Sequence, residues 1–190
     1  MSDKTLFLRG IIMIRFIKLK EKHLTQVLEW RTQVDVTRFM NTDIEKDLDK
    51  QKEWFDKISI SRTDKYWIIQ IKGILVGLIS LNNIDFVNKR ASWGYYIGEE
   101  KYRLYGGIIP TYFYNYIFSK YDFHKITAEV MGGNDNVIKL NLMHGYRLVG
   151  VYKDHIYKNG SFFDMNLLEL LKDDWIKAGK FKKNICEFEE

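Results

Sequence analysis

The chain has 190 residues, 46% apolar and 29% charged, with 30 basic against 25 acidic side chains. That is the size of one domain, large enough to bury a core without a covalent staple. The one cysteine, Cys186, excludes a disulfide framework and a cysteine-rich zinc site, and the interspersed charges, net +5, exclude a dedicated nucleic-acid surface while leaving a small anionic ligand welcome.

Residues 1–12 read as an N-terminal extension, with Met13 as an alternative start. The apolar run Leu6 to Ile17 is interrupted by Arg9 and Arg15 and is too short to span a bilayer. Ile14 to Leu19 is predicted as a strand. Leu24 to Arg31 is predicted as a helix, with Leu24, Val27 and Leu28 on one face. A short element follows at Val36 to Met40, and a helix at Asp47 to Ile58 with Trp54, Phe55 and Ile58 as its apolar stripe. Three strands come next, Tyr66–Ile71, Ile74–Ile84 and Ala91–Ile97, turning at Lys72-Gly73 and Asn88-Lys89 into an antiparallel meander. Gly106-Gly107 opens a helix to about Lys120, with Pro110 in the first turn, where proline is tolerated. Ile126 to Met131 is a strand, and the cluster Gly132 to Asn136 caps a helix that ends at His144-Gly145. Leu148–Tyr157 and Phe162–Leu171 form a hairpin across Asn159-Gly160. Lys172 to Ala178 is a terminal helix, and residues 181–190 read as a charged tail. The order is that of a mixed α/β sheet in one domain, residues 13–180, with the cytoplasm as its expected location and no membrane partner.

Three stretches could carry chemistry. The first runs from Tyr95-Tyr96-Ile97-Gly98 to Gly106-Gly107. A strand ends, a polar loop holds Lys101 and Arg103, and two glycines open a helix whose N-terminal N–H groups suit a phosphate. An ordinary glycine turn before a helix would look the same. The second is Asn134 to Tyr146, where Leu140, Asn141 and His144 share the face begun by Val137. Asn141 there meets a buried partner or faces a cleft. His144 reads first as a last-turn histidine complementing the helix dipole. The third is Ser80 to Asp85, where Asp85, or Glu129 on a later strand, is either a general base or a surface carboxylate. No Ser-His-Asp pattern, Walker loop or metal-ligand spacing appears.

The runs Val76 to Ser80, Trp93 to Gly98 and Tyr102 to Gly107 resemble the GCN5-related N-acetyltransferase family. So do His124 to Val130, Asn134, and Gly145-Tyr146 eleven positions later. The resemblance covers roughly residues 13 to 176. Glu29-Trp30-Arg31, Arg38-Phe39-Met40, Trp54, Ile79 to Asp85, Val149 to His155, Lys158-Asn159-Gly160 and Phe163-Asp164 look closer to one subgroup, the N-acetyltransferases of pseudaminic acid biosynthesis. The ribosomal-protein acetyltransferases share much of the second half.

The resemblance implies a single-domain fold with a mixed, mostly antiparallel sheet of six to seven strands flanked by helices. It implies direct acetyl transfer from acetyl-CoA, with no metal, to a small-molecule amine, the 4-amino group of a UDP-linked dideoxy amino sugar. A homodimer is compatible with it. Tyr95, Tyr96 and Ile97 would pair with the pantetheine arm, amides of Arg103, Gly106, Gly107 and Ile108 would hold the pyrophosphate, and Asn134 would touch pantetheine. The Asn141 helix would flank the thioester, and Trp30, Arg31, Phe39, Met40, Asn83 and Asp85 would line the acceptor side. Asp85 or Glu129, through water, would take the amine proton. Two departures stand out. The family's glycine loop falls out of register, with Ile108 or Leu104 where a small residue belongs, and Asn141 stands where many members carry a tyrosine acid. Other readings are a protein N-terminus, a polyamine or an aminoglycoside as acceptor, or a non-catalytic acyl-CoA sensor.

Overall fold

The structure, a computed structural model, describes residues 13–190. The expected extension 1–12 lies outside the described residues. Strand β1 (Ile14–Lys18) leads through a 3-10 turn into α1 (Leu24–Arg31), which buries Leu24, Val27, Leu28 and Trp30. A short α2 (Val34–Thr37) and an irregular stretch precede α3 (Leu48–Ser59). Asp47 caps α3, its carboxylate accepting from the N–H groups of Asp49 at 2.9 Å and Lys50 at 3.1 Å. The meander is β2 (Lys65–Ile71), β3 (Ile74–Asp85) and β4 (Arg90–Ile97). A 3-10 segment, Glu100–Gly107, then enters α4 (Ile109–Lys120). The rest is β5 (Lys125–Met131), α5 (Asp135–Met143), the hairpin β6 (Arg147–Lys158) and β7 (Ser161–Leu171), α6 (Lys172–Ala178) and β8 (Glu187–Phe188).

The strands form one sheet in the order β6-β7-β5-β4-β3-β2-β1-β8. Among the described residues, only the β4–β5 and β1–β8 pairings are parallel. Alternation along the strands gives two apolar faces. On one, Ile69, Ile79, Leu81 and Ile126 pack against Phe113, Tyr114 and Ile117 of α4 and Trp175 of α6. On the other, Ile68 and Leu78 pack under Val27 and Trp30 of α1, with Trp54, Phe55 and Ile58 of α3 beside them. Fully burying each such side chain contributes roughly 1.5–3 kcal/mol, so the two layers clamp the sheet from both sides.

The sheet has eight strands where six to seven were expected. The additional one is β8, inside the stretch read as a charged tail. Phe188 is the reason: its ring stacks between Phe16 at 4.2 Å and Tyr116 at 3.8 Å, and this apolar anchor outweighs the charged neighbours. The short element expected at Val36 to Met40 begins earlier and ends at Thr37. The helix expected from Gly106 starts as an α-helix only at Ile109.

The pairing that positions the site is β4 with β5. It spans only Arg90, Ala91 and Ser92 against Lys125, Ile126 and Thr127. Beyond those residues the two strands part.

Candidate active site

Where β4 and β5 diverge, a cleft of about 1080 Å³ opens. That is the upper end of the size of single ligand pockets, which run to about 1,000 Å³. Trp93 to Ile97 of β4 form one wall and Ala128 to Met131 of β5 the other. Asn134, Val137 and Asn141 of the β5–α5 region close one end, together with Arg103 and Gly106. Arg31, Phe39, Met40, Trp54 and Tyr66 complete the lining. Because the β4–β5 ladder stops at Ser92, the β4 backbone beyond it has no strand partner on this side among the described residues. Such a row of N–H and C=O groups is a ready template for an extended amide-bearing ligand.

The glycine segment leaves open space where a cradle would need it. A Cβ on Gly106 would stand 3.6 Å from the Tyr95 hydroxyl and 3.7 Å from Ile97 Cδ1, ordinary contact distances. Neither Gly106 nor Gly107 has a positive φ. Nothing in the protein's own packing therefore requires glycine at 106, and the space beside it faces the cleft. The segment is pinned from several sides. Tyr95 donates its hydroxyl to Gly106 O at 2.9 Å, and Arg103 pairs with Asp35 of α2 at 2.8 Å. His144 lies 3.0 Å through Nε2 from Gly107 O. Burial lowers its pKa, so the ring is neutral and Nε2 carries the donated hydrogen. His144 is thus a buried strut and not the dipole-complementing cation expected from its last-turn position.

Beside Tyr66, Ser80 donates to Asn82 Oδ1 at 2.7 Å, and Asn82 Nδ2 donates to Asp64 and to the Tyr66 hydroxyl, each at 3.0 Å. The Tyr96 hydroxyl is buried and has no partner among the described residues. Burial raises its pKa, so it stays protonated and offers a donor to whatever occupies the cleft. The cleft carboxylates are mostly paired: Asp35 with Arg103, Asp43 with Lys158, Glu45 with Lys50. Glu129 lines the cleft without a salt-bridge partner among the described residues. Among the described residues no cluster of His, Cys, Asp or Glu has the arrangement to hold a metal ion.

Residues 14–167 match the family model described as the acetyltransferase (GNAT) domain. The chain belongs to that family. It is 31% identical over 106 residues to the putative ribosomal N-acetyltransferase YdaF of Bacillus subtilis, 54% of this chain and 57% of the relative. It is 28% identical over 99 residues to the uncharacterized N-acetyltransferase YoaA of the same species, 52% of this chain and 56% of the relative. The chain thus spans little more than half the length of these curated relatives. Spermidine N-acetyltransferase from Vibrio cholerae, in complex with CoA and spermine, superposes with a TM-score of 0.79 at 16% identity, covering 87% of this chain and 98% of that one. A dodecameric structure of the same enzyme gives 0.74 at 16% identity, covering 89% and 98%. The family expectation and the GNAT fold stand; the pseudaminic acid subgroup finds no support in these comparisons.

Within the GNAT domain, Tyr95, Tyr96, Ile97, Arg103, Gly106, Glu129, Asn134 and Asn141 all line the cleft. So do Arg31, Phe39, Met40 and Asn83, the residues expected on an acceptor side. Gly107 and Ile108 do not; they sit behind the loop, Gly107 against Leu140 and Ile108 donating its N–H to Tyr105 O. Two further expectations are corrected. Trp30 is 1% exposed and its indole donates to Glu99 at 2.8 Å; it packs the core under Gly98. Asp85 caps the β3–β4 turn, accepting from the Asn88 N–H at 2.8 Å and side-chain amide at 2.7 Å, with Arg90 beside it. The Asn88 bonds hold its carboxyl below the usual range. It is a turn residue outside the cleft and not a base. Sequence reasoning missed Asp64, Tyr66, Asp43 and Lys158, whose significance arises only from tertiary contact. Tyr66 alone carried a signal, since period-two alternation places it on the face of Ile68 beside Ser80.

Proposed function

We propose that this domain transfers an acetyl group from acetyl-CoA directly to the amine of a small-molecule acceptor. The cleft left by the early end of the β4–β5 ladder carries this reading. Acetyl-CoA supplies the activated thioester. Backbone groups of Tyr95 to Ile97, with Asn134 opposite, hold its amide-bearing arm, and the segment from Arg103 to Gly106 receives its pyrophosphate, Gly106 leaving room for close approach. Donors on the β4 wall stabilise charge that develops on the carbonyl oxygen. Asn141, 3% exposed at the cleft end, positions the thioester without donating a proton. The leaving thiolate is a weak enough base to depart without a strong acid. The amine must be neutral to attack, and Glu129 takes its proton through water. No covalent acetyl-enzyme forms: burial pushes the Cys186 thiol up to about 12, so at neutral pH it is not a nucleophile.

For the acceptor, the comparisons lend a polyamine more support than a nucleotide-linked sugar, since the two superposed structures described above are spermidine N-acetyltransferases. One feature of the cleft supports the UDP-linked amino sugar as a second reading. A polyamine wants unpaired carboxylates, whereas Asp35, Asp43 and Glu45 already have cationic partners. Arg31, with Trp54 and Tyr66 nearby, offers a guanidinium and flat faces instead. Acetyl transfer to spermidine, an aminoglycoside, an N-terminal peptide and a UDP-4-amino-4,6-dideoxy sugar distinguishes them. A tenfold preference in kcat/KM, about 1.4 kcal/mol, identifies the acceptor class. No turnover with any amine, together with intact CoA binding, would leave a sensor domain and overturn the enzymatic reading.

A further inference from the structure

The chain from Arg38 to Asp43 has no regular secondary structure, yet it walls the acceptor end with Phe39 and Met40. It is fixed by two cations from elsewhere. Lys158, the last residue of β6, donates to Thr37 O at 2.6 Å and Met40 O at 2.8 Å and pairs with Asp43 at 2.8 Å. An ammonium has three donors, and here each has an acceptor. Lys158 is 6% exposed, a burial tolerated only when the charge is fully paired. From the other side Arg31 donates to Thr37 Oγ1 at 3.0 Å and Thr42 O at 2.6 Å, and Thr37 Oγ1 donates to Asp43 at 2.9 Å.

The position of Lys158 gives these bonds their meaning. The segment Arg38 to Asp43 extends from the helices that cover β2 to β4, on one bank of the cleft. Lys158 belongs to the hairpin beyond β5, on the other bank. It stands beside the turn Asn159-Gly160, whose φ values of 51° and 79° mark a tight two-residue hairpin, so it projects from a stiff post. The banks share only three strand pairs at the cleft's base. Lys158 ties them again across the opening. Phe39 reaches the same far bank, 4.0 Å from where a Cβ on Gly133 would stand.

We propose that Lys158, acting through Asp43 and the Thr37 and Met40 carbonyls, is a positioning residue that holds the acceptor wall across the cleft and thereby sets acceptor specificity. The proposal rests on the cleft being the acetyl-transfer site. Lys158→Met keeps the length and apolar stem and removes the charge and donors. Asp43→Asn, at a half-exposed side chain, tests the same tie and decides alone if Lys158→Met fails to fold. Steady-state kinetics with the best amine of the panel should show acceptor KM rising at least tenfold, with acetyl-CoA KM and CoA affinity within twofold of the parent. A merely structural role would move both KM values together, and that result, or an unchanged acceptor KM, overturns the proposal. Hydrogen exchange of the ligand-free protein separates this from the functional reading, because it needs no turnover. Exchange at residues 38–43 should accelerate at least tenfold while residues 103–108 stay within twofold. Unchanged exchange at 38–43 overturns the tie even if no amine is ever acetylated.

Discussion

Gly98 shows how one missing side chain decides what its neighbour is for. A Cβ there would stand 2.0 Å from Trp30 Cγ, so the indole lies flat on the backbone just past β4. Trp30 cannot retreat, because it is buried and its N–H is engaged by Glu99. Gly98→Ala should therefore behave as an overpacking substitution and cost about 3 kcal/mol, the upper part of that class. Urea denaturation measures it; a loss under about 0.5 kcal/mol would show that the indole moves freely. The same contact explains why Trp30 is a poor guide to function. Its neighbours in sequence, exposed Glu29 and partly buried Arg31, do not announce its burial, and nothing local distinguishes an indole that packs from one that binds.

At the scale of elements, β8 tests how much two residues of strand contribute. Phe188 sits in a three-ring stack with Phe16 and Tyr116, and Trp67 donates its indole N–H to Glu189 O at 2.8 Å. Phe188→Ala should lower stability by about 2–3 kcal/mol, below the 3–5 kcal/mol of a fully buried phenylalanine because this ring is half-buried. Urea melts decide, and a change within about 0.5 kcal/mol would make β8 incidental. Elements signalled by adjacent residues were legible in the sequence. Lys72-Gly73 and Asn159-Gly160 each carry two positive φ values, 50° and 83°, 51° and 79°, as such dipeptides require in tight hairpins. Tyr96, assigned to the ligand through the family resemblance, does line the cleft. What stayed hidden depends on partners far along the chain. Nothing near Phe188 announces Phe16, nothing near Lys158 announces Thr37, and Asp85 looks like a base until Asn88 folds back onto it.

At the scale of the molecule, stability should respond to pH through two buried histidines. Desolvation lowers the pKa of both His23 and His144 from the ordinary 6.5. Below pH 6.5 the unfolded chain takes up these protons before the folded one does, so unfolding becomes easier as pH falls towards the lowered values. The slope is at most about 1.4 kcal/mol per pH unit for each histidine. Asp43, Asp64 and Glu169, lowered from 3.8, 3.8 and 4.5, add their own loss only in more acidic solution. Urea midpoints should thus be flat above pH 7, fall between 6.5 and 5, and fall less in His144→Gln; an identical profile in that variant would remove His144 from the account. The sheet as a whole also has a direction. One margin ends in β8, two residues long, laid over β1. The other ends in β6, twelve residues long, which leaves Leu148, Val149, Val151 and Tyr152 exposed and interrupts its own register twice, between Leu148 and Gly150 and between Tyr152 and Ile156. An incoming strand, whether a second copy or an aggregating neighbour, therefore has one margin long enough to extend, and the register break with Lys153 and Asp154 inside it limits how far that extension runs.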